Sequence, residues 1–307
     1  MRMWFRRQNT SQRTGRPTKS DREAADRRAA ASEEALAHGR LPAYVLERIR
    51  KQVQHELPWT SDLSVNEWSI LRRYQLRPLG QVMGSSYYRI AYRTGPNYFT
   101  GSYDLTDQEQ ALYDGRAKAL SRLQAEARAF GANAVVGVRI ALRHAEEGSQ
   151  LEFTAFGTAV RLEGFEASDE PVLCTVSGQD LIKLLEAGSL PVGLVAGVAV
   201  FYQYSTRRDM WQAGGYWNQE MPIFTESVYH VRRRAMNHIR SQLNALGAHG
   251  LLGQDTHLNV QEIEVERGEN DRRVDHIVQF IVIGTAVMQL AHPLPLNIRL
   301  SLNLGSS

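Results

Sequence analysis

Slid against itself by 113 residues, the chain lays Pro58 to Tyr88 over Pro171 to Phe201 without a gap, and Pro58/Pro171, Ser64/Ser177, Leu71/Leu184, Pro78/Pro191, Gly80/Gly193, Val82/Val195 and Gly84/Gly197 coincide. A slide of 116 brings GANAVVG (Gly131 to Gly137) onto GAHGLLG (Gly247 to Gly253), and one of 127 superposes GTAV at Gly157 and at Gly284. Offsets that rise in order are what a duplicated unit with lengthened loops leaves behind. The shared positions are mostly Gly, Pro or apolar, the residue types a backbone and a core require. The repeat therefore constrains the fold first, and function has to be argued separately.

The duplication divides the 307 residues into a basic extension over 1–57, a first repeat over 58–165, a second over 171–290 and a tail over 291–307. Each repeat is long enough to enclose a core. One cysteine, Cys174, excludes an internal disulfide and a Cys-rich zinc site, and fits a reducing compartment. No apolar run approaches the roughly 20 residues that span a bilayer. The expected location is cytoplasmic, with a peripheral membrane role left open by the arm: residues 1–28 hold nine Lys/Arg against Asp21, Glu23 and Asp26, while the whole chain carries only +3. Its first twenty residues have almost nothing to bury and are expected to be disordered, with helix from Ser20 to about Gln54 broken at Gly39 to Pro42. Such an arm suits an anionic membrane surface or nucleic acid.

Within each repeat a helix start (Ser64-Val-Asn-Glu67, Ser177-Gly-Gln-Asp180) precedes a strand entered at Pro78 or Pro191. A long amphipathic helix follows. Thr106-Asp-Gln-Glu109 reads as a capping box, and Leu112, Ala119, Leu120, Leu123, Ala127 and Phe130 form one stripe, copied as Val228, Ala235, Met236, Ile239, Leu243 and Leu246. Gly131 and Gly247 stand at left-handed helix ends. Ala134 to Leu142 with Leu151 to Val160, and Leu251 to Val260 with Val274 to Met288, close the units as strand pairs, the second turning at RGEND (Arg267 to Asp271). The fold class is α+β: two tandem β-α-β-β units, each an antiparallel sheet with a long helix packed on one face.

Candidate chemistry is sparse. The histidines include no HExxH; His230 and His238 lie eight apart on the second long helix, about 80° around its axis, and His249 and His257 on the next strand could meet only across subunits. These four are the candidate metal ligands. Cys174 reads as a buried thiol. Ser85 and Ser86 lie in a strand with no G-x-S-x-G, and no phosphate-binding loop is present. No catalytic or cofactor-binding residue is assigned, and the protein is read as a non-enzyme. Arg116, Lys118, Arg122 and Arg128, with Arg232 to Arg234, are expected on the solvent side of the helices. The aromatic loop 202–217 (Tyr202, Tyr204, Trp211, Tyr216, Trp217, with Gly214 and Gly215) is a candidate docking surface for a protein partner.

A strand carrying P-L-G-x-V-M-G-S-S (Pro78 to Ser86), a long helix ending at Gly131-Ala132, then Asn133 to Arg139 (NAVVGVR) and a closing GTAV resemble the YbjQ-like family of heavy-metal-binding domains, over about 58–290. The second copy departs from the pattern at His249-Gly250 and Gln254-Asp255. The resemblance implies a subunit akin to dodecin that assembles into homo-oligomeric rings, pentamers being the usual expectation. It brings no catalytic set; a cofactor is not required, and a divalent heavy metal is implied by the resemblance alone. The resulting expectation is a non-enzymatic ring-forming scaffold or binding protein, the alternative being a metal- or small-molecule-binding protein with sites between subunits.

Overall fold

A computed structural model describes residues 19–89, 101–144, 150–163, 167–209, 218–268 and 271–291; the expected disorder of the first residues and Trp211 to Trp217 of the aromatic loop lie outside them. The chain divides into two compact units, 1–43 and 44–307. Helix α1 (Lys19–Ala37), rich in Ala, Glu and Arg, belongs to the first. Helix α2 (Ala43–Val53), which the sequence placed with the extension, belongs almost wholly to the second: Ile49 is buried in its core and Arg48 Nη2 lies 2.7 Å from Glu126 Oε2.

The second unit repeats one element series twice. Helix α3 (Val65–Arg73), strand β1 (Leu76–Arg89), helix α4 (Thr106–Ala129), strand β3 (Ala134–His144) and strand β4 (Gln150–Leu162) are followed by helix α5 (Gly178–Glu186), strand β6 (Ser189–Gln203), helix α6 (Pro222–Ala245), strand β7 (Gly250–Glu266) and strand β8 (Arg272–Gln289). Offset 113 carries α3 onto α5 residue for residue, and offset 116 does the same for α4 and α6. Even the β-bulges are duplicated: Pro78/Gly80 against Pro191/Gly193, and Val136/Arg139 against Leu252/Asp255. A bulge shifts every later side chain to the other face, so copying it keeps the core pattern intact.

Two strands of two residues cross between the repeats. Strand β5 (Val172–Leu173), at the start of the second repeat, pairs parallel with β3; strand β2 (Tyr103–Asp104) of the first pairs with β6. The sheets run β1-β4-β3-β5 and β2-β6-β8-β7. One face of β6 packs on α6 through Val195 and Ala199, and the opposite face, Ala196, Val198, Val200 and Tyr202, joins the core around α4. Helix α4 is thereby clasped between two sheets. Arg116, expected in solvent, is buried for that reason, whereas Lys118 and Arg128 are exposed.

Capping follows the sequence at α3, where Ser64 and Glu67 form the reciprocal box. At α4 it does not: Leu105 is the N-cap with no side-chain bond, because Glu109 is engaged by the other repeat. Tyr202, expected in a docking loop, is buried at the end of β6 and donates to Asp275, while Tyr204 lies 3.6 Å beneath the Arg267 guanidinium.

Candidate functional site

The contact between the two repeats is where polar chemistry concentrates. Glu109 on α4 accepts a fork from Arg234 Nε and Nη2 of α6 at 2.9 and 3.0 Å, and also accepts the Val200 N–H at 3.0 Å. Asp104 takes Arg234 Nη1 at 3.1 Å and the His230 Nε2 at 2.8 Å. The Glu109 carboxylate raises the Arg234 pKa above its ordinary value. A buried fork of this kind satisfies both partners and fixes register. Tyr113 accepts the Val198 N–H at 2.9 Å, and burial pushes its phenol up. On the other side of the seam, the segment that opens the second repeat lies along β3: Val172 and Cys174 donate to Asn133 and Val135, and Gly137 and Val138 donate to Val176 and Cys174. Cys174, whose thiol burial pushes up to about 12, is thus a seam residue.

The candidate histidines are placed apart, and the repeat explains two of them. His238 occupies the place of Arg122, 116 residues earlier; both ring and guanidinium donate to a strand carbonyl, Val198 in one copy and Ser85 in the other. His249 occupies the place of Asn133: Nδ1 accepts from Gln289 as Asn133 Oδ1 accepts from Leu162. His230 stacks on Phe201 with ring centroids 4.6 Å apart, and His257 pairs with Asp255 at 3.0 Å. Among the described residues no three His, Cys, Asp or Glu side chains gather as a ligand set. The described residues of one chain do not fit a metal centre. Ser86, set aside as a nucleophile by the sequence, donates to the Gly115 carbonyl inside the fold.

Sequence reasoning missed the seam and its unmatched counterpart, because the repeat offsets give correspondence and not contact. Strand β7 ends its sheet where β3 is covered by β5. Leu252 is 42% exposed against 1% for its counterpart Val136, Met83 42% against 1% for Ala196, and Tyr87 69% against 1% for Val200. Tyr229, the counterpart of Tyr113, is likewise exposed beside Arg232, Arg233, Met236 and Arg240 on the outer face of α6.

The family model described as "Putative heavy-metal-binding" (YbjQ) matches residues 97–163, within the first copy. A Mycobacterium tuberculosis protein named "Encapsulin nanocompartment protein Rv1762c" is 35% identical over 243 residues, 76% of this chain and 86% of that protein. Proteins named UPF0145 from Trichodesmium erythraeum and Hahella chejuensis are 42% and 40% identical over 66 and 67 residues, 20% and 22% of this chain and 56% and 62% of their own lengths. The chain belongs to the YbjQ-like family.

Proposed function

We propose that this protein is a non-enzymatic scaffold of two YbjQ-like domains, over about 58–165 and 171–290, that assembles head to tail by repeating between chains the contact its two repeats make within one. The observation that carries this reading is the pairing of exposed and buried counterparts: Met83, Tyr87 and Leu252 lie open where Ala196, Val200 and Val136 are covered by the other repeat. In the proposed contact the segment Trp59 to Leu63 of one protomer lies along β7 of the next at Leu251 to Gln254, as Val172 to Val176 lies along β3. Tyr229 then reaches the β1 edge at Ser85, as Tyr113 reaches Val198. A heterologous contact either closes into a ring or runs on as a filament, and covering the β7 edge removes a site of uncontrolled strand pairing. A ring, of five chains by the family resemblance, is the form proposed.

Native mass spectrometry of the full-length chain at micromolar concentration is expected to give one discrete multimer, and Tyr87→Asp, which sets a charge against an apolar contact without touching the core, is expected to disperse it. A monomer for the unaltered chain, or a multimer indifferent to Tyr87→Asp, overturns the reading. The name of the Mycobacterium tuberculosis relative favours a second reading, association of this assembly with an encapsulin nanocompartment; co-expression with an encapsulin shell, followed by sedimentation of the intact shell, tests it, and absence of the chain from the shell fraction refutes it.

A further inference from the structure

Between α4, β3 and the β7–β8 hairpin lies a cleft of about 470 Å³. Its walls are apolar, chiefly Leu112, Ile140, Leu142, Phe153, Ile281 and Ile283. One charge is buried in it: Arg116, 9% exposed, whose Nε and Nη1 have no acceptor among the described residues and whose guanidinium has the Tyr113 ring face 4.8 Å away. Among the described residues, the ionised groups lining the cleft are Arg116 and Arg143, His257 stands with them, and no Asp or Glu is in the lining. Burial lowers the Arg116 pKa to about 10, which leaves it a cation at neutral pH. An ion held out of water without a partner costs several kcal/mol in general, whereas Glu109, the buried carboxylate at the seam, is paired with Arg234.

We propose that this cleft binds an anionic amphiphile, a carboxylate on a single alkyl chain, with Arg116 holding the head group and the apolar walls holding the tail. The volume falls within the range of small-ligand pockets, about 300–1,000 Å³, and the lining has their usual character, apolar with few polar groups that fix orientation. A guanidinium prefers a planar carboxylate, to which it donates two parallel bonds. The site stands on geometry within one chain and does not depend on the proposed assembly.

Isothermal titration of the full-length protein with dodecanoate, dodecyltrimethylammonium and acetate tests it. Dodecanoate is expected to bind saturably, one per chain, at least roughly tenfold tighter than the cationic amphiphile of equal tail and far tighter than acetate, as charge and apolar area acting together require. Arg116→Gln is expected to remove that head-group preference, Arg116→Lys to keep part of it, and Arg116→Gln to leave the melting temperature of the ligand-free protein equal or higher, since it deletes an unpaired buried charge. Absence of saturable binding, equal affinity for both head groups, unchanged binding by Arg116→Gln, or a marked fall in melting temperature or failure to fold of that variant would each overturn the proposal, the last because it would show that the guanidinium serves the fold.

Discussion

Gly84 and Gly197 occupy equivalent places on β1 and β6, and a Cβ built on either would lie 2.0 or 2.2 Å from the carbonyl oxygen of Ala119 or Ala235 on the helix above. Backbone cannot give way as a side-chain tip can. Gly84→Ala is expected to cost about 1–3 kcal/mol, the range for overpacking, read as a lower denaturant midpoint, whereas Gly101→Ala, with nothing within 4 Å, is expected to stay within about 0.5 kcal/mol. An equal effect at the two sites would count against helix-on-strand contact as the cause. The sequence exposes these glycines as repeat-matched positions within strands. It also exposes the Ser64 box, whose partners are three residues apart. It hides the fate of Glu109, since the competing donors, Arg234 and the Val200 amide, are 125 and 91 residues away. Local signals succeed where a residue's partner is local.

At the scale of elements the same limit governs what could be read. The long helices, their apolar stripes and the strand pairs follow from periodicity, and the offsets align α4 with α6 without slippage. The two-residue strands β2 and β5 have no periodicity to detect and exist only because the opposite repeat offers an edge. Arg116 was assigned to solvent by an argument that gives a helix one buried face, which fails once sheets lie on both sides. Helix α2 was set aside with the charged extension because its surroundings are polar, yet Val45 and Ile49 join the core near α4. Ile49→Ala is accordingly expected to destabilise the folded protein by about 2–5 kcal/mol, as buried aliphatic truncations do, measured by thermal or urea unfolding. A loss below about 0.5 kcal/mol would return α2 to the extension.

For the whole molecule the repeat supplies a rule of assembly that can be tested on charges far from the β7 edge. Offset 116 relates Arg116 to Arg232, which is exposed on α6, and offset 127 relates Glu152, on β4, to Gln279 of β8. Within the chain Arg116 and Gln279 line one cleft. If chains join as the repeats do, Arg232 of one protomer and Glu152 of the next line the equivalent cleft, so opposite charges share the contact between chains where Arg116 and Gln279 share the one within the chain. Neither residue has any visible relation to the other in the sequence, since the offsets give correspondence and only the fold says which counterparts touch. Glu152→Lys sets like charges together and is expected to weaken the multimer, as is Arg232→Glu; together they restore the attraction. Close interfacial pairs couple by about 1.5 kcal/mol or more, so the double variant should recover at least roughly tenfold in apparent association over either single one, more at low salt than at high, where screening shortens to about 3 Å at 1 M. Sedimentation velocity across a concentration series reads the effect. If both single variants assemble as the unaltered chain does, or if the double variant is no better than the singles, the contact between chains is not a copy of the contact within them.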